Sequence, residues 1–368
     1  MSESPLRAAL IGLGDVAIAH LEGYRGLTDV EVVAGADVRA ERAGPVALRY
    51  GFEAFTDYRQ MLDRVKPDIA CVLTTVKTHR EITEACADRG VNVLCEKPLA
   101  LTVEDTEAMI AHCSKRGVKL FYAASYRFLP PVVKARALIA SGAIGEVQLI
   151  VETMMGGTGI EGYAGMGFEH YPEGGPGGSG WGLMDHGIHL VDVFEWVSGS
   201  RIESVFGRGQ ISGKKPGSEY MVMEFDNGAS GHLIYHDATW SADLPTEGLF
   251  SWAPDWYELV KPKPAGEGRR WQNHPGNIKV FGTHGALRIF HYANQLFLRT
   301  SHGMEMIRVD DAPMPAQFGA ELSSFARSIR DGTPVEVPGE IGRRALGVIL
   351  GAYDSMKTGA RVSLRDLR

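Results

Sequence analysis

The amino-acid sequence predicts an α/β protein that begins with a doubly wound parallel sheet. Short apolar runs of strand length alternate with helix-like segments through residue 125, and a glycine-rich turn follows the first run directly. An acidic residue ends the second run. Because open parallel sheets bind ligands beyond the carboxyl ends of their strands, we expect a binding site at that edge.

The glycine-rich turn has the form that binds a dinucleotide. The predicted strand Leu6 to Ile11 runs into G-x-G-x-x-A and then into a helix that extends to about Arg25. The first glycine permits the tight turn, the second lets a pyrophosphate approach the backbone, and the small last residue packs helix on strand. The predicted cofactor-binding residues of this turn are Gly12, Gly14, Asp15, Val16 and Ala17.

Asp37 indicates which dinucleotide binds. It directly follows the second predicted strand, Val30 to Ala36. A carboxylate at this place binds both ribose hydroxyls and repels a 2′-phosphate, which favours NAD over NADP. Arg39 and Arg42 are close by in the sequence and are the argument for NADP.

The alternation continues and places a lysine at the end of a strand. Strands are predicted at Ile69 to Thr74, Val91 to Cys95 and Lys119 to Ala123, with helices at Arg80 to Arg89 and Val103 to Lys115. Such a lysine is ordinarily a surface cation. Lys97, however, directly follows a buried strand and precedes Pro98, which points it into the crevice. Lys97 is therefore a candidate catalytic residue.

A second candidate group is near the middle of the chain. A glycine-rich approach leads into an apolar segment, Ile188 to Val197, and Asp185 and His189 stand four positions apart. On an α-helix both would point from one face, where a carboxylate and an imidazole can move a proton. The imidazole has an ordinary pKa of about 6.5, which suits a general acid or base. A buried structural pair is the alternative.

Charge and composition exclude several function classes. The chain of 368 residues carries a net charge of −7, so we expect neither nucleic acid nor membrane as a partner. Its four cysteines form no CxxC pair, and no charged leader or long apolar run is present, which predicts a cytoplasmic protein with reduced thiols. No metal site is predicted: His232 and His236 share one strand face but are more simply polar residues of a sheet.

These motifs together resemble the Gfo/Idh/MocA oxidoreductases, along the whole chain. The residues that carry the resemblance are Gly12 to Ala17, Asp37, Thr74 to His79, Glu96 to Pro98, Tyr126 to Phe128, Gly142 to Gly145 and Asp185 to His189. The tail is similar as well, at Glu321 to Phe325 and in the run from Gly339. The family usually has proline where Thr75 stands, which affects the expected shape of that loop.

The resemblance implies two domains. Residues 1–125 would form an NAD-binding Rossmann domain. Residues 126–368 would form an α+β domain with an open, mostly antiparallel sheet that makes homodimer or homotetramer contacts, and closing helices at about 316–358 would pack back on the first domain. Compatible strands are predicted at Glu146 to Thr153, Ile202 to Ile211, Tyr220 to Phe225, Ala229 to Tyr235, Ile278 to Phe281 and Ala286 to Phe290.

The resemblance also implies a site. In the family, the residues that match Lys97, Asp185 and His189 form the catalytic set. Four residues are expected at the cofactor, namely Thr74, His79, Glu96 and Lys97. Four others are expected to line the substrate cleft, namely Tyr126, Arg127, Trp181 and His186. Arg127 could equally anchor a salt bridge between the domains.

Two irregular stretches predict the walls of a carbohydrate site. Residues 156–182 are rich in glycine with several aromatic residues, and residues 238–275 contain Trp240, Trp252, Trp256 and Trp271. Trp faces bind sugar rings or aromatic aglycones, although these side chains could equally pack an insertion or a subunit contact.

Three functions fit these features. The first is an NAD-dependent dehydrogenase that acts on a ring hydroxyl of a sugar, an inositol or a glycoside, such as a glycoside 3-hydroxyl. The second keeps NAD bound and recycles it during glycoside cleavage or sugar redox exchange. The third is a sensor that binds sugar and NAD without turnover. Lys97, Asp185 and His189 together favour an enzyme.

Overall fold

The computed structural model describes residues 4–155, 182–212, 215–236, 277–291, 294–312 and 315–366. These residues divide into two compact units. The first unit comprises residues 4–125 and 315–343, and the second takes in the described residues from 126 to 312 and from 344 to 366. Trp181 and the Trp-rich stretch 238–275 lie outside the described residues, as does the glycine-rich stretch up to residue 181.

The first unit contains a six-stranded parallel sheet. Its strands are β1 (Leu6–Ile11), β2 (Val30–Ala36), β3 (Glu53–Phe55), β4 (Ile69–Val72), β5 (Asn92–Cys95) and β6 (Leu120–Tyr122). They lie in the order β3-β2-β1-β4-β5-β6, and the central strands are almost entirely buried, as a sheet covered on both faces requires. The strand order reverses between β1 and β4, where ligands bind in such sheets. The predicted doubly wound parallel sheet is confirmed.

Five helices connect these strands, and their ends show what the sequence pattern missed. They are α1 (Asp15–Tyr24), α2 (Ala40–Tyr50), α3 (Tyr58–Val65), α4 (Val76–Ala87) and α5 (Val103–Arg116). The helix predicted from Arg80 begins at Val76, because Val76 and His79 already bury the core face of its first turn. Neither α2 nor the short α3 was predicted. Helix α3 begins after Asp57, whose carboxylate accepts a hydrogen bond from the Arg59 amide at 2.8 Å.

The second unit is built on a nine-stranded sheet. Its strands are β7 (Val147–Met155), β8 (Ile202–Ser212), β9 (Lys215–Phe225), β10 (Ser230–His236), β11 (Ile278–Gly282), β12 (Gly285–Phe290), β13 (Gln295–Thr300), β14 (Gly303–Ile307) and β15 (Val362–Ser363). Their order is β14-β13-β12-β11-β7-β10-β9-β8-β15. Every described pairing is antiparallel except that of β7 with β10, so the predicted mostly antiparallel sheet is confirmed.

Four further helices complete the described chain. In the second unit, α6 (Pro130–Ala140) follows a short 3₁₀ turn, and α7 (Ile188–Ser198) is buried along nearly its whole length. In the first unit, α8 (Ala316–Arg330) lies so close to α1 that a Cβ on Gly319 would be 2.3 Å from the Gly23 carbonyl oxygen. The last helix, α9 (Gly339–Thr358), starts in the first unit, and its residues from Arg344 belong to the second.

Candidate active site

The glycine turn after β1 is shaped for a phosphate. Gly12 has a φ of +88°, and a Cβ there would be 2.7 Å from the Leu73 carbonyl oxygen, so no larger residue fits. Gly14 directly precedes α1, and a Cβ on it would approach only the Arg42 guanidinium, at 3.5 Å. The amides at the start of α1 are therefore open to an anion. Ala17 is fully buried, as its predicted packing role requires.

Asp37 is placed beside this turn. One of its carboxylate oxygens accepts a hydrogen bond from the Leu13 amide at 3.0 Å, and the other accepts one from the Arg39 amide at 2.9 Å. The Arg42 guanidinium is 3.4 Å from the same carboxylate. Because a carboxylate accepts several hydrogen bonds, Asp37 can order the turn and still bind ribose hydroxyls. The residues therefore fit the adenosine part of a dinucleotide.

The loop after β4 is held by His79. This buried imidazole contacts two carbonyl oxygens at 3.0 Å, that of Thr74 through Nε2 and that of Pro98 through Nδ1. Burial lowers the pKa of His79, although both backbone hydrogen bonds oppose that shift. The Thr74 hydroxyl accepts a hydrogen bond from Thr78 at 2.8 Å. His79 thus fixes the segment after β4 relative to the segment after β5.

Lys97 follows β5 and is partly exposed. Its backbone N–H donates to Glu96 Oε2 at 2.9 Å, and Glu96 Oε1 is 2.8 Å from Nε2 of the buried His20. Burial by itself would raise the pKa of the Glu96 carboxyl, but His20 and Lys97 bring it below the usual value. The carboxylate of Glu96, predicted at the cofactor, is thus bound to His20 and to the backbone of Lys97.

Asp185 and His189 do not share a regular α-helix, which corrects the sequence prediction. Asp185 lies in a π-helical turn, Leu183–Gly187, and His189 lies in the first turn of α7. A π-helical turn has i→i+5 hydrogen bonds in place of the i→i+4 bonds of an α-helix, so the two residues stand in helical segments of different geometry. The turn is anchored by the buried Glu219, whose carboxylate accepts a hydrogen bond from the Leu183 amide at 2.6 Å.

His189 and His186 gather around Tyr126. The His189 ring, 8% exposed, stacks on the Tyr126 ring with centroids 4.1 Å apart and planes 9° apart. The Tyr126 hydroxyl is 3.4 Å from His186 Nδ1. Asp185 is partly exposed in the turn between them. The second unit thus assembles two imidazoles, a phenol and a carboxylate from the predicted residues.

Glu152 and His291 extend this group and were not predicted. The Glu152 carboxylate is 0% exposed and lies 3.4 Å from His186 Nε2 and 3.6 Å from His291 Nε2. The sequence signal was a glutamate at a buried strand position, after Ile150 and Val151. Such residues are almost never fully buried unless they have a charged or polar partner.

Arg127 forms a buried ion pair within the second unit. Its guanidinium donates to both carboxylate oxygens of Asp192 on α7, with Nε at 2.7 Å, and both side chains are buried. The partner belongs to the same unit, so this is not the salt bridge between domains that was considered. The ion pair fixes the Arg127 side chain, and its expected place in the substrate cleft stays a prediction.

The predicted site residues therefore form two groups, one in each unit. The first contains the glycine turn with Asp37, Thr74, His79, Glu96 and Lys97, and the second contains Tyr126, Asp185, His186 and His189. Trp181 is outside the described residues. Among the residues that the structure describes, no three His, Cys, Asp or Glu side chains are placed to hold a metal ion. The same residues include no helix that is long and apolar enough to cross a bilayer.

Comparison with known protein families assigns both units. Residues 6–124 match the model of the Gfo/Idh/MocA oxidoreductase family with an NAD-binding Rossmann fold, and residues 132–288 match the C-terminal domain of the same family. The chain belongs to the Gfo/Idh/MocA oxidoreductase family. Its first unit is accordingly an NAD-binding Rossmann domain, as the glycine turn predicts.

Individual Gfo/Idh/MocA relatives act on carbohydrates according to their names. The D-glucoside 3-dehydrogenase of Escherichia coli K12 is 33% identical, over 54% of this chain and 56% of the relative, so the similarity spans little more than half of either protein. The myo-inositol 2-dehydrogenase of Thermotoga maritima is 24% identical over 98% of this chain and 99% of the relative. The aldose-aldose oxidoreductase structure from Caulobacter crescentus has a TM-score of 0.78 and 22% identity, over 98% of this chain and all of that one, and shows the shared fold.

Proposed function

We propose that this Gfo/Idh/MocA oxidoreductase is an NAD-dependent dehydrogenase that oxidises a ring secondary alcohol of a sugar, an inositol or a glycoside. The observation that carries the proposal is the position of Lys97. It follows β5, next to the strand-order reversal of the NAD-binding sheet, and Glu96 fixes its backbone. A partly exposed cation at this place is suited to bind an alcohol oxygen beside the nicotinamide.

The chain's own residues divide the proton chemistry among them. NAD, when bound, accepts the hydride that leaves the alcohol carbon. We assign to Lys97 the hydrogen bond to the reacting oxygen and to His189 the role of the base that takes the hydroxyl proton. The stacked Tyr126 ring holds the His189 imidazole in one orientation. Asp185 would bind a neighbouring hydroxyl and favour the protonated form of His189.

The substrate class is supported by the names of the relatives, which act on a glucoside and on an inositol. Within this class we favour the 3-hydroxyl of a glycoside, because the region 238–275 is rich in Trp and the glucoside enzyme is the relative with the higher identity. The glucoside match spans only part of both chains. The substrate therefore has to be identified by experiment.

A substrate panel tests this function. Purified protein and NAD are offered polyols, free sugars, inositols and aryl glycosides, and the absorbance of reduced nicotinamide is followed. We expect a rise with one class, aryl glycosides first. Sugar turnover without any rise would indicate the enzyme with recycled NAD, and binding without turnover would indicate a sensor.

NAD is proposed over NADP because of Asp37. Its carboxylate holds the glycine turn and stands where a 2′-phosphate would be repelled. In Asp37→Ser, NAD should bind about 10- to 100-fold more weakly, the value of hydrogen bonds to a charged group. Titration of both cofactors checks this. An unchanged NAD affinity would remove Asp37 from the ribose site.

We also propose a homodimer or homotetramer that forms through the C-terminal sheet, in the cytoplasm. One face of β11 to β14 exposes apolar side chains, with Phe281 40%, Met304 67% and Met306 66% accessible. Exposed patches of this kind mark association surfaces. Light scattering of the wild type and of Met304→Glu tests the assembly, since the variant should be smaller.

A further inference from the structure

His20 lies in the interior of the first unit. It is on α1, the helix that begins at the glycine turn, and its side chain is 0% exposed. Nε2 is 2.8 Å from Glu96 Oε1 and Nδ1 is 2.7 Å from the Tyr24 hydroxyl, so both ring nitrogens are engaged. Neither the proton chemistry nor the cofactor contacts assigned above use this imidazole.

A continuous path of hydrogen bonds joins His20 to Lys97. The imidazole binds one oxygen of the Glu96 carboxylate, and the other oxygen accepts the Lys97 backbone N–H at 2.9 Å. Each carboxylate oxygen of Glu96 thus has its own partner, and loss of the His20 contact would free the carboxylate that holds the Lys97 backbone. The path links the helix that faces the cofactor phosphates to the proposed catalytic lysine.

A second buried carboxyl and an aromatic ring, both on α8, belong to the same unit as His20. Glu321 on α8 is 0% exposed, and within the described residues neither of its oxygens makes a hydrogen bond. Burial first, and then the charge of Glu96, raise the pKa of Glu321 well above its usual value. Phe318, also on α8, places its ring 4.2 Å from the imidazole. The His20 ring is thus confined by packing as well as by hydrogen bonds.

We propose that His20 is a positioning residue that orients Lys97 through Glu96 and so couples the cofactor-binding helix to the reacting group. This proposal rests on the proposed function, in which Lys97 contacts the substrate oxygen. Removal of the His20 hydrogen bond would leave the glycine turn and Asp37 in place, so NAD binding would be retained while the rate of the chemical step falls.

Two amide variants of different length test the proposal. In His20→Gln the amide can reach Glu96, whereas in His20→Asn it is one methylene shorter and cannot. We expect kcat to fall about 10- to 100-fold in His20→Asn, because a small misplacement of a reacting group has an effect of this size. In His20→Gln, at least half of that loss should be recovered on the logarithmic scale. The dissociation constant for NAD should change less than threefold in both. Equal losses in both variants, or a loss that resides in NAD binding, would overturn the proposal.

A matched control and a double variant separate positioning from general damage. His112 makes a 2.9 Å pair with Asp88 at the surface of the same unit, so His112→Asn should leave kcat unchanged. Thermal melting shows whether each variant folds, and if His20→Asn does not, the same comparison is made between His20→Gln and His20→Leu.

Adding His20→Asn to Lys97→Ala should lower the residual rate less than twofold, since the oriented group is already absent. Independent losses that multiply would show that His20 acts elsewhere and overturn the proposal. Full activity of Lys97→Ala alone would instead overturn the proposed function, and the positioning role with it.

Discussion

Each unit contains a fully or nearly buried glutamate that faces histidine, and the two are held very differently. In the first unit, Glu96 is bound by one imidazole at 2.8 Å and by a backbone amide at 2.9 Å. In the second, Glu152 lies between two imidazole nitrogens at 3.4 and 3.6 Å, and neither of its oxygens makes a hydrogen bond within the described residues. The first carboxylate is held by directed hydrogen bonds, whereas the second has none within the described residues.

The two glutamates therefore suit different tasks. A carboxylate with short, directed hydrogen bonds is suited to hold a peptide in place, as Glu96 does for Lys97. Glu152 makes no such hydrogen bond within the described residues, so it fixes neither His186 nor His291 in this way. We therefore expect the loss of Glu96 to disturb its surroundings more than the loss of Glu152.

Removal of either proposed catalytic side chain, Lys97 or His189, should give the largest effect on the rate. Lys97→Ala and His189→Gln are each expected to lower kcat about 10²- to 10⁴-fold, the usual contribution of acid–base groups. NAD binding should persist in both. Steady-state rates measure the change, with Lys134→Ala on the exposed face of α6 as the control for loss of a lysine. A Lys97→Ala enzyme with the wild-type rate would contradict the assignment.

The buried ion pair of Arg127 with Asp192 should contribute strongly to the stability of the folded protein. Asp192→Asn leaves the buried Arg127 guanidinium without its charged partner, and we expect the free energy of unfolding to fall by about 3–5 kcal/mol. Denaturant titration measures this. The exposed pair Arg361 and Glu224 gives the comparison, because Glu224→Gln should cost less than about 1 kcal/mol. Similar losses in the two variants would refute the structural role of Arg127.

The contrast between the two glutamates can be measured directly. Glu96→Gln removes a charge-assisted hydrogen bond and should lower the free energy of unfolding by about 1.5–3 kcal/mol. Glu152→Gln removes no hydrogen bond within the described residues and should cost less than about 1 kcal/mol. Paired denaturant curves decide the matter. A larger loss of unfolding free energy in Glu152→Gln than in Glu96→Gln would show that Glu152 is held at least as firmly as Glu96.

The pH dependence of stability gives the smallest and most specific signal. The pKa of Glu321 is raised by burial and by Glu96, so its contribution is complete below the unfolded pKa and is lost as the pH rises through the folded pKa. In Glu321→Gln the free energy of unfolding should no longer decline as the pH rises above the unfolded pKa. The slope should change by at most about 1.4 kcal/mol per pH unit. The pKa of Glu96 is lowered, so Glu96→Gln should instead flatten the acid limb. Melting temperatures measured across pH record both sides of the stability profile. A profile that is unchanged in both variants would contradict the directions given for the two pKa values.

The first unit could be predicted from the sequence almost completely. Its strands are continuous apolar runs, and its glycine turn, Asp37 and Lys97 carry a local chemical reason for their positions. Strand β2 has the bounds that the pattern predicted, Val30–Ala36. The sequence prediction missed the helix α2 and the short elements β3 and α3, and a three-residue strand carries too few residues for a period.

The clusters around the site could not be predicted in the same way. His20 and Phe318 are 298 positions apart, and their rings meet because α8 packs on α1. The π-helical turn at Asp185 could not be predicted from a hydrophobic pattern with a period of 3.6 residues. The turn is stabilised by tertiary contacts, such as that of Glu219 with the Leu183 amide, which the local sequence does not indicate. A polar or charged residue within an apolar run of the sequence indicates that this residue is buried with a partner. It does not indicate which distant residue the partner is.

The proposed function requires net transfer of hydride from a ring carbon to NAD. A decisive experiment uses the substrate found in the panel, deuterated at the carbon that carries the reacting hydroxyl. Mass analysis of the free nicotinamide after turnover should then show one reduced, deuterium-labelled cofactor for each product molecule. Product formed while the free cofactor stays oxidised and unlabelled would contradict the claim and favour an enzyme that recycles bound NAD.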